Sequence, residues 1–191
     1  MPQLSTVPWR PPRIETARLL LRGWEESDAE QVYAYASDPE VTAYMAWNQH
    51  AELKDSLQFL NGLVADFYQR GELTYALCAR SEPERALGGI GLHWRSRQHG
   101  VLELGYVLSR TCWGQGYVPE AGRALVRFAF ESTTVERIYA PIFSQNSKSR
   151  RAAEKMGLHF EGVLRSCLAL RGQRRDEAIY SVLRSEMLPP G

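Results

Sequence analysis

Between Val101 and Phe130 the chain changes its period within a dozen residues. Val101 to Leu108 (VLELGYVL) runs as a strand, and Ser109 to Ala121 then reads SRTCWGQGYVPEA. Gly114 and Gly116 break the strand, and Pro119 falls in the first turn of a helix, where its missing N–H does no harm. Val118, Ala121, Leu125, Phe128 and Ala129 follow at helical spacing. A strand that passes through glycines directly into a helix must fold that helix back onto a sheet. It also leaves backbone N–H groups from Gly114 to Val118 unpaired at the positive end of the helix dipole. Read locally, the segment is either a tight connection or an anion site. It is not a P-loop, because Gly-Lys-Ser/Thr is missing, and it lacks the third glycine and acidic partner of a dinucleotide fingerprint.

The flanking segments predict a mixed α/β domain. Arg18 to Arg22 (RLLLR) reads as a short strand, and Ser27 as the cap of a helix reaching Ser37 with Ala29, Val32, Tyr33 and Ala36 on one face. Residues 52–69 carry Leu53, Leu57, Leu60, Val64 and Phe67 at helical spacing and stop near Gly71. Strands are expected over 73–79, 87–94, 101–108 and 136–143, a helix over 147–156 ending at Gly157, and strands over 159–170 and 174–185 joined at Gly172-Gln173. The order β-α-α-β-β-β-α-β-α-β-β is not that of an alternating Rossmann chain. With 191 residues, one domain over 14–188 is expected, preceded by an extended arm over 1–13 that holds Pro2, Pro8, Pro11 and Pro12.

Charge narrows the partners. Lys and Arg number 23 against 22 Asp and Glu, so no general pull on DNA, RNA or an anionic membrane is expected. No apolar run approaches the ~18 residues of a membrane span. Cys78, Cys112 and Cys167 show neither disulfide nor metal spacing, and His50, His93, His99 and His159 show none either, which points to a reducing cytoplasm and no metal. Against that neutral background, Asn146 to Leu158 (NSKSRRAAEKMGL) concentrates Lys148, Arg150, Arg151 and Lys155 against Glu154. The cluster is either a solvated helix face or a phosphate contact. Glu103, in the strand entering the glycine loop, is an acid–base candidate sharing a face with Gly105 and Val107.

Taken in order, these segments resemble the GNAT superfamily of acyl-CoA-dependent N-acetyltransferases, and within it the RimJ/RimL branch that acetylates ribosomal-protein N-termini. The resemblance spans Ile14 to Met187. Ile14-Glu15-Thr16-Ala17-Arg18-Leu19-Leu20-Leu21-Arg22 is similar to that branch's opening strand. Glu103-Leu104-Gly105-Tyr106, Trp113-Gly114-Gln115-Gly116-Tyr117 and Glu120-Ala121 are similar to its acetyl-CoA segment. Asn146 and Ser149, Glu154-Lys155-Met156-Gly157, Glu161-Gly162-Val163-Leu164-Arg165, Asp176 and Tyr180 resemble its last helix and hairpin.

The resemblance implies a mostly antiparallel twisted sheet of about seven strands flanked by about four helices, and acetyl-CoA as acetyl donor without a metal. It implies that the Val107 and Leu108 backbone holds the pantetheine arm and that Trp113, Gly114, Gln115, Gly116, Tyr117 and Val118 cradle the pyrophosphate. Asn146 would bind the pantetheine region, Arg151 a CoA phosphate, and Ser149 the sulfur or departing thiolate. Departures are visible. Val118 stands where a small residue is usual, Ala153 where many relatives place a tyrosine acid, and Leu158 where phenylalanine is usual.

Direct attack by a neutral amine requires that it first lose a proton. At pH 7 this costs about 1 kcal/mol for an α-amine of pKa near 8 and about 5 for lysine. Glu103 suits the first task, so the expected acceptor is a protein N-terminus. A small-molecule amine such as an antibiotic or polyamine is the rival, and a non-catalytic acyl-CoA-binding module is the third reading. Acceptor contacts are expected from Tyr106 and from Trp47, which is equally readable as core or lid; Met45, Asn48 and His50 lie in the same connection. Arg165, Arg171, Arg174 and Arg175 read as a solvated hairpin, and a homodimer is left open.

Overall fold

The computed structural model describes residues 10–187. The expected arm over 1–13 therefore lies outside the described residues except for Arg10 to Arg13, of which Pro11 is buried. Eight strands form one sheet in the order β1-β2-β3-β4-β5-β6-β8-β7. They are β1 (Ile14–Glu15), β2 (Leu19–Arg22), β3 (Leu73–Ala79), β4 (Glu82–Ser96), β5 (Val101–Leu108), β6 (Arg137–Phe143), β7 (His159–Leu170) and β8 (Gln173–Leu183). The sheet is one strand larger than expected because Ile14–Glu15, read as the entry to β2, doubles back to pair with Leu20 and Leu21. Every neighbouring pair is antiparallel except β5–β6. That pair is parallel because the connection between its strands carries a crossover helix.

Both sheet faces are covered, which explains a β2 with no exposed residue. Leu19 and Leu21 pack with the helices α5 (Tyr117–Ser132) and α6 (Ser147–Met156). Leu20 packs on the opposite face with Trp24, Val32, Tyr35 and Ala36 of the first helical layer. That layer holds α1 (Ala29–Ala36), α2 (Pro39–Thr42), α3 (Leu53–Gln58) and α4 (Ala65–Gln69). A last turn, α7 (Arg184–Met187), ends the strand expected to reach 185. The helices thus exceed the expected four, because the stretch 52–69 is divided and the short α2 and α7 are added.

Two local readings are corrected. Ser27 is exposed and caps nothing; a reciprocal capping box between Glu25 and Asp28 opens the turn Glu26–Asp28 that leads into α1. Between α3 and α4, Phe59–Val64 winds as a π-helix. The extra residue per turn rotates the apolar stripe, so Leu60, Val64 and Tyr68 are buried while Leu53 is exposed and Phe67 half-buried.

Arg22, at the end of β2, is 3% exposed. Its guanidinium donates to both Asp28 carboxylate oxygens at 2.6 and 2.9 Å, and to the carbonyls of Pro83, Gly23 and Glu84. Asp28 in turn accepts from the Glu25 N–H. A buried ion pair saturated in this way joins β2, the start of α1 and the first residues of β4. We expect Asp28→Ala to lower the unfolding free energy by about 3–5 kcal/mol in urea titration, because it strands a buried guanidinium. The double variant R22M/D28L should recover much of that loss, since burying two apolar groups leaves no charge unpaired.

Candidate active site

The site begins where the sheet comes apart. β5 and β6 pair only at Val101↔Arg137, Leu102↔Ile138 and Glu103↔Tyr139. Beyond that register β5 stays on β4 as far as Gly88↔Leu108, and β6 stays on β8 as far as Phe143↔Glu177. The two strands therefore diverge with facing edges unpaired. The Ser109 N–H donates to Leu87 on β4, and backbone groups alternate sides along an antiparallel strand. Val107 and Gly105 accordingly turn their N–H and C=O groups toward β4, whereas Tyr106 and Leu108 turn theirs into the gap. The Leu108 carbonyl is taken by the Trp113 indole N–H at 2.9 Å.

At the mouth of the gap the glycine loop turns into α5. Gly114 and Gly116 have φ of 80° and 77°, backbone that L side chains rarely adopt, and a Cβ at Gly114 would meet nothing within 4 Å. Gly116 gives α5 no side-chain cap and Pro119 has no N–H, so the Tyr117 and Val118 N–H groups remain for a ligand. Val118 turns its side chain into the core. A brace holds the loop from behind. Glu120 Oε1 accepts from the Thr16 hydroxyl (2.6 Å) and the Arg18 N–H (2.9 Å), and Oε2 accepts from Arg18 Nε (2.7 Å). Arg18 also donates to the Gln115 carbonyl at 3.0 Å and lies over the Tyr117 ring. These hydrogen bonds hold the Glu120 carboxyl below its usual range despite partial burial.

The opposite wall is α6. Asn146 Oδ1 caps it by accepting the Ser149 N–H at 3.1 Å, which leaves the Asn146 amide nitrogen as a donor. The Tyr106 hydroxyl reaches across the gap to Ser149, 2.7 Å from Oγ and 3.0 Å from the carbonyl. Burial pushes the Tyr106 phenol up to about 12, so it stays protonated through the neutral range. Lys148 sits with Nζ 4.0 Å from the Trp113 ring centroid, joining the two walls. Of the four basic residues on α6, Lys148, Arg151 and Lys155 face the cleft. Arg150 does not: it donates to the Tyr180 hydroxyl and the Ser144 carbonyl.

These walls enclose a cleft of about 680 Å³. Of the expected residues, Tyr106, Val107, Leu108, Trp113, Gly114, Gly116, Tyr117, Val118, Asn146, Ser149 and Arg151 line it. Gln115, Glu103 and Trp47 do not. Gln115 points its amide back to the Thr111 carbonyl. Glu103 lies on the other face of β5, where Oε2 accepts from Tyr139 (2.9 Å) and meets Arg95 (3.1 Å). Trp47 packs beside His50, against the core under α1 and α3.

Sequence reasoning missed three contributors. Arg18 read only as strand, although its pairing with Glu120 joins two segments already singled out. Arg110 binds Asp38 and Glu40 at 2.8 Å each, drawing α2 to the cleft mouth. Arg171, read as part of a solvated hairpin, instead donates to the carbonyls of Thr42, Ala43 and Trp47 and so anchors the α2–α3 connection.

The family model for the acetyltransferase (GNAT) domain matches residues 18–159. The chain belongs to the GNAT acetyltransferase family. It is 30% identical over 176 residues to the uncharacterized N-acetyltransferase p20 of Bacillus licheniformis, covering 91% of this chain and 97% of that protein. It superposes on a GNAT-family acetyltransferase from Bacillus anthracis with a TM-score of 0.82 at 28% identity, covering 92% of this chain and 100% of that one. The same fold occurs in RimL, a ribosomal L7/L12 alpha-N-protein acetyltransferase solved with coenzyme A, at a TM-score of 0.80 and 18% identity over 90% of this chain and 98% of that one.

The chain is thus an acetyl-CoA-dependent N-acetyltransferase, and the cleft fits that donor. Free N–H groups at the α5 start and the α6 cations suit phosphates, and the unpaired β5 edge suits an amide-bearing arm. Among the described residues no group of three or more His, Cys, Asp or Glu side chains could hold a metal. No described helix is long and apolar enough to cross a membrane. We expect Glu120→Ala, which removes the brace without touching the cleft surface, to weaken acetyl-CoA binding about tenfold, or about 1.4 kcal/mol. Isothermal calorimetry checks it.

Proposed function

We propose that the acceptor is the α-amine of a protein N-terminus, in the manner of the RimJ/RimL branch. The observation that supports this most is the electrostatic character of the site. The cleft is lined by one carboxylate, Glu40, already paired with Arg110, and on the opposite sheet face Glu72 and Glu103 are engaged by Arg70, His93 and Arg95, which leaves little to hold a polycationic antibiotic or polyamine. The sheet face beside the gap is open instead: Gly105, in the middle of the sheet, is exposed, and a Cβ there would meet nothing within 4 Å. An extended chain end can lie on such a floor. The shared fold with an α-N-protein acetyltransferase agrees with this reading.

Acetyl-CoA supplies an acetyl group already activated as a thioester. The roles of the chain's own residues follow from position. The Tyr106 and Leu108 N–H groups face the gap and are aimed to stabilise negative charge developing on a carbonyl oxygen between β5 and β6, the largest single contribution in most acyl transfers. Ser149, hydrogen-bonded to the Tyr106 phenol, gives a proton to the departing sulfur, and Tyr106 replenishes it. This hydroxyl pair occupies the role left empty by Ala153, which is buried. Glu103, at the closed end of the gap, is held by Tyr139 and Arg95 and shapes the entry for the ammonium. Asn146 positions the amide-bearing arm, and Arg151 meets a phosphate.

Incubation with acetyl-CoA and a degenerate library of octapeptides with free N-termini, read by mass spectrometry, should give products one acetyl heavier at the α-amine. Acetylation confined to small amines, with no peptide modified, would overturn the N-terminal reading. Ser149→Ala should lower kcat about 100-fold with little change in KM for acetyl-CoA, and Tyr106→Phe should lower it less. Dephospho-CoA should bind more weakly than CoA to the unaltered protein, and Arg151→Ala should shrink that difference.

A further inference from the structure

The face of the sheet away from α5 and α6 carries a second arrangement of polar groups that the cleft does not use. Gly91 on β4 stands directly across the ladder from Gly105 on β5, and His93 stands directly across from Glu103. Gly105 leaves an exposed floor beside the point where β5 leaves β6, with nothing within 4 Å of where its Cβ would be, whereas Gly91 is buried beneath His93 and Thr74. His93 leans over Gly91: its Nε2 lies 3.0 Å from where a Gly91 Cβ would be. Its Nδ1 is 2.8 Å from Glu72 Oε2, and the Glu72 side chain is 7% exposed. Phe67 of α4 packs on the imidazole with ring centroids 4.4 Å apart.

These contacts settle which nitrogen does what. A carboxylate only accepts, so Nδ1 carries a hydrogen, and it is Nε2 that can present a lone pair to an incoming group. Among the described residues Nε2 has no hydrogen-bond partner. The ring is fixed from both sides, by a buried carboxylate and by an aromatic face, with its basic nitrogen over Gly91, about one strand spacing, ~4.8 Å, from Gly105. A carboxylate–imidazole pair with the far nitrogen open is the arrangement that proton abstraction requires. Glu103 is placed less well for that task, because Oε2 is engaged by both Tyr139 and Arg95.

We propose that His93 Nε2, oriented by Glu72, is the proton acceptor for the incoming amine, which reaches the thioester over the exposed Gly105 floor. The proposal rests on the amine-acetylation reading above and adds the base to it. The amine enters as an ammonium, and Nε2 takes the one proton the overall reaction releases, later passing it to water. The freed nitrogen lone pair forms the new C–N bond, and the C–S bond breaks with its electron pair on sulfur. The second amine proton leaves nitrogen as the amide forms and, by way of water, makes good in the Tyr106–Ser149 pair the one that Ser149 gives the sulfur, so that one proton is released overall. Glu72 is a positioning residue, since it acts only through the ring.

The test uses full-length protein with acetyl-CoA and two acceptor sets, the octapeptide library and a panel of small aliphatic amines, with thiol release as readout. His93→Ala should lose about 100-fold in kcat, keep its KM for acetyl-CoA, and regain part of its rate when imidazole is added. Glu72→Gln should lose less and should distort the pH profile. Besides Glu72, the charged groups around the ring are Arg70 behind Glu72 (3.5 Å), Glu103 across the ladder, and Arg95 beside it. His99→Ala, exposed on the β4–β5 turn, should match the unaltered protein. A His93→Ala protein with undiminished kcat, or one that imidazole does not rescue, overturns the proposal while leaving the N-terminal reading intact. Turnover only with small amines overturns that reading and still measures His93. No turnover with either set overturns both.

Discussion

The structure depends on a ladder that stops. Three residue pairs join β5 to β6, the last at Glu103↔Tyr139, and the strands then part. Leaving strand edges unpaired inside a sheet is costly unless something else satisfies the backbone. Elsewhere neighbouring strands stay together and the ladders are broken only by local register shifts, and at the divergence the Trp113 indole already satisfies one carbonyl. The remaining groups face a cleft whose other walls are a helix start and a basic helix. A ligand with amides at one end and phosphates at the other fits that order of partners. On the proposed reading the same divergence opens the sheet to the donor from one face and to the acceptor from the other.

Rigidity comes from long-range hydrogen bonds that fix what surrounds the gap. Glu120 joins the loop to residues 16 and 18, more than a hundred positions earlier. Arg22 and Asp28 anchor the first helical layer, Arg110 draws α2 to the cleft, and Arg171 holds the α2–α3 connection from the β7–β8 turn. Each ties a loop to backbone or carboxylate partners. Tyr106, Ser149 and His93, for which catalytic roles are proposed, sit on strands and a helix, and Glu72 directly precedes β3.

Much of this was legible in the residues. The change of period at Ser109, the glycines at 114 and 116, and Pro119 located the strand, loop and helix start within a residue or two. The spacing of Asn146 and Ser149 placed the far wall. The failures have physical causes. Phe59–Val64 winds as a π-helix, which a fixed 3.6-residue period cannot represent, and so Tyr68 replaced Phe67 in the core. Ser27 has the chemistry of a cap, but Glu25 and Asp28 satisfy each other first. Arg18 and Arg171 look like surface charge because their partners, Glu120 and three backbone carbonyls, are distant in sequence. In the sequence His93 is only one of four histidines without metal spacing; the role proposed for it needs Glu72 and Phe67, from the α4–β3 segment, brought against β4 by the fold.

The central claim is that the unpaired edge of β5 receives the donor. Amide hydrogen exchange at single-residue resolution, followed by NMR with and without acetyl-CoA, tests it most directly. The Tyr106 and Leu108 amides should exchange far faster than Val107 and Gly105 in the free protein and become strongly protected when acetyl-CoA binds. Binding that protects residues elsewhere, with Tyr106 and Leu108 unchanged, would contradict the account.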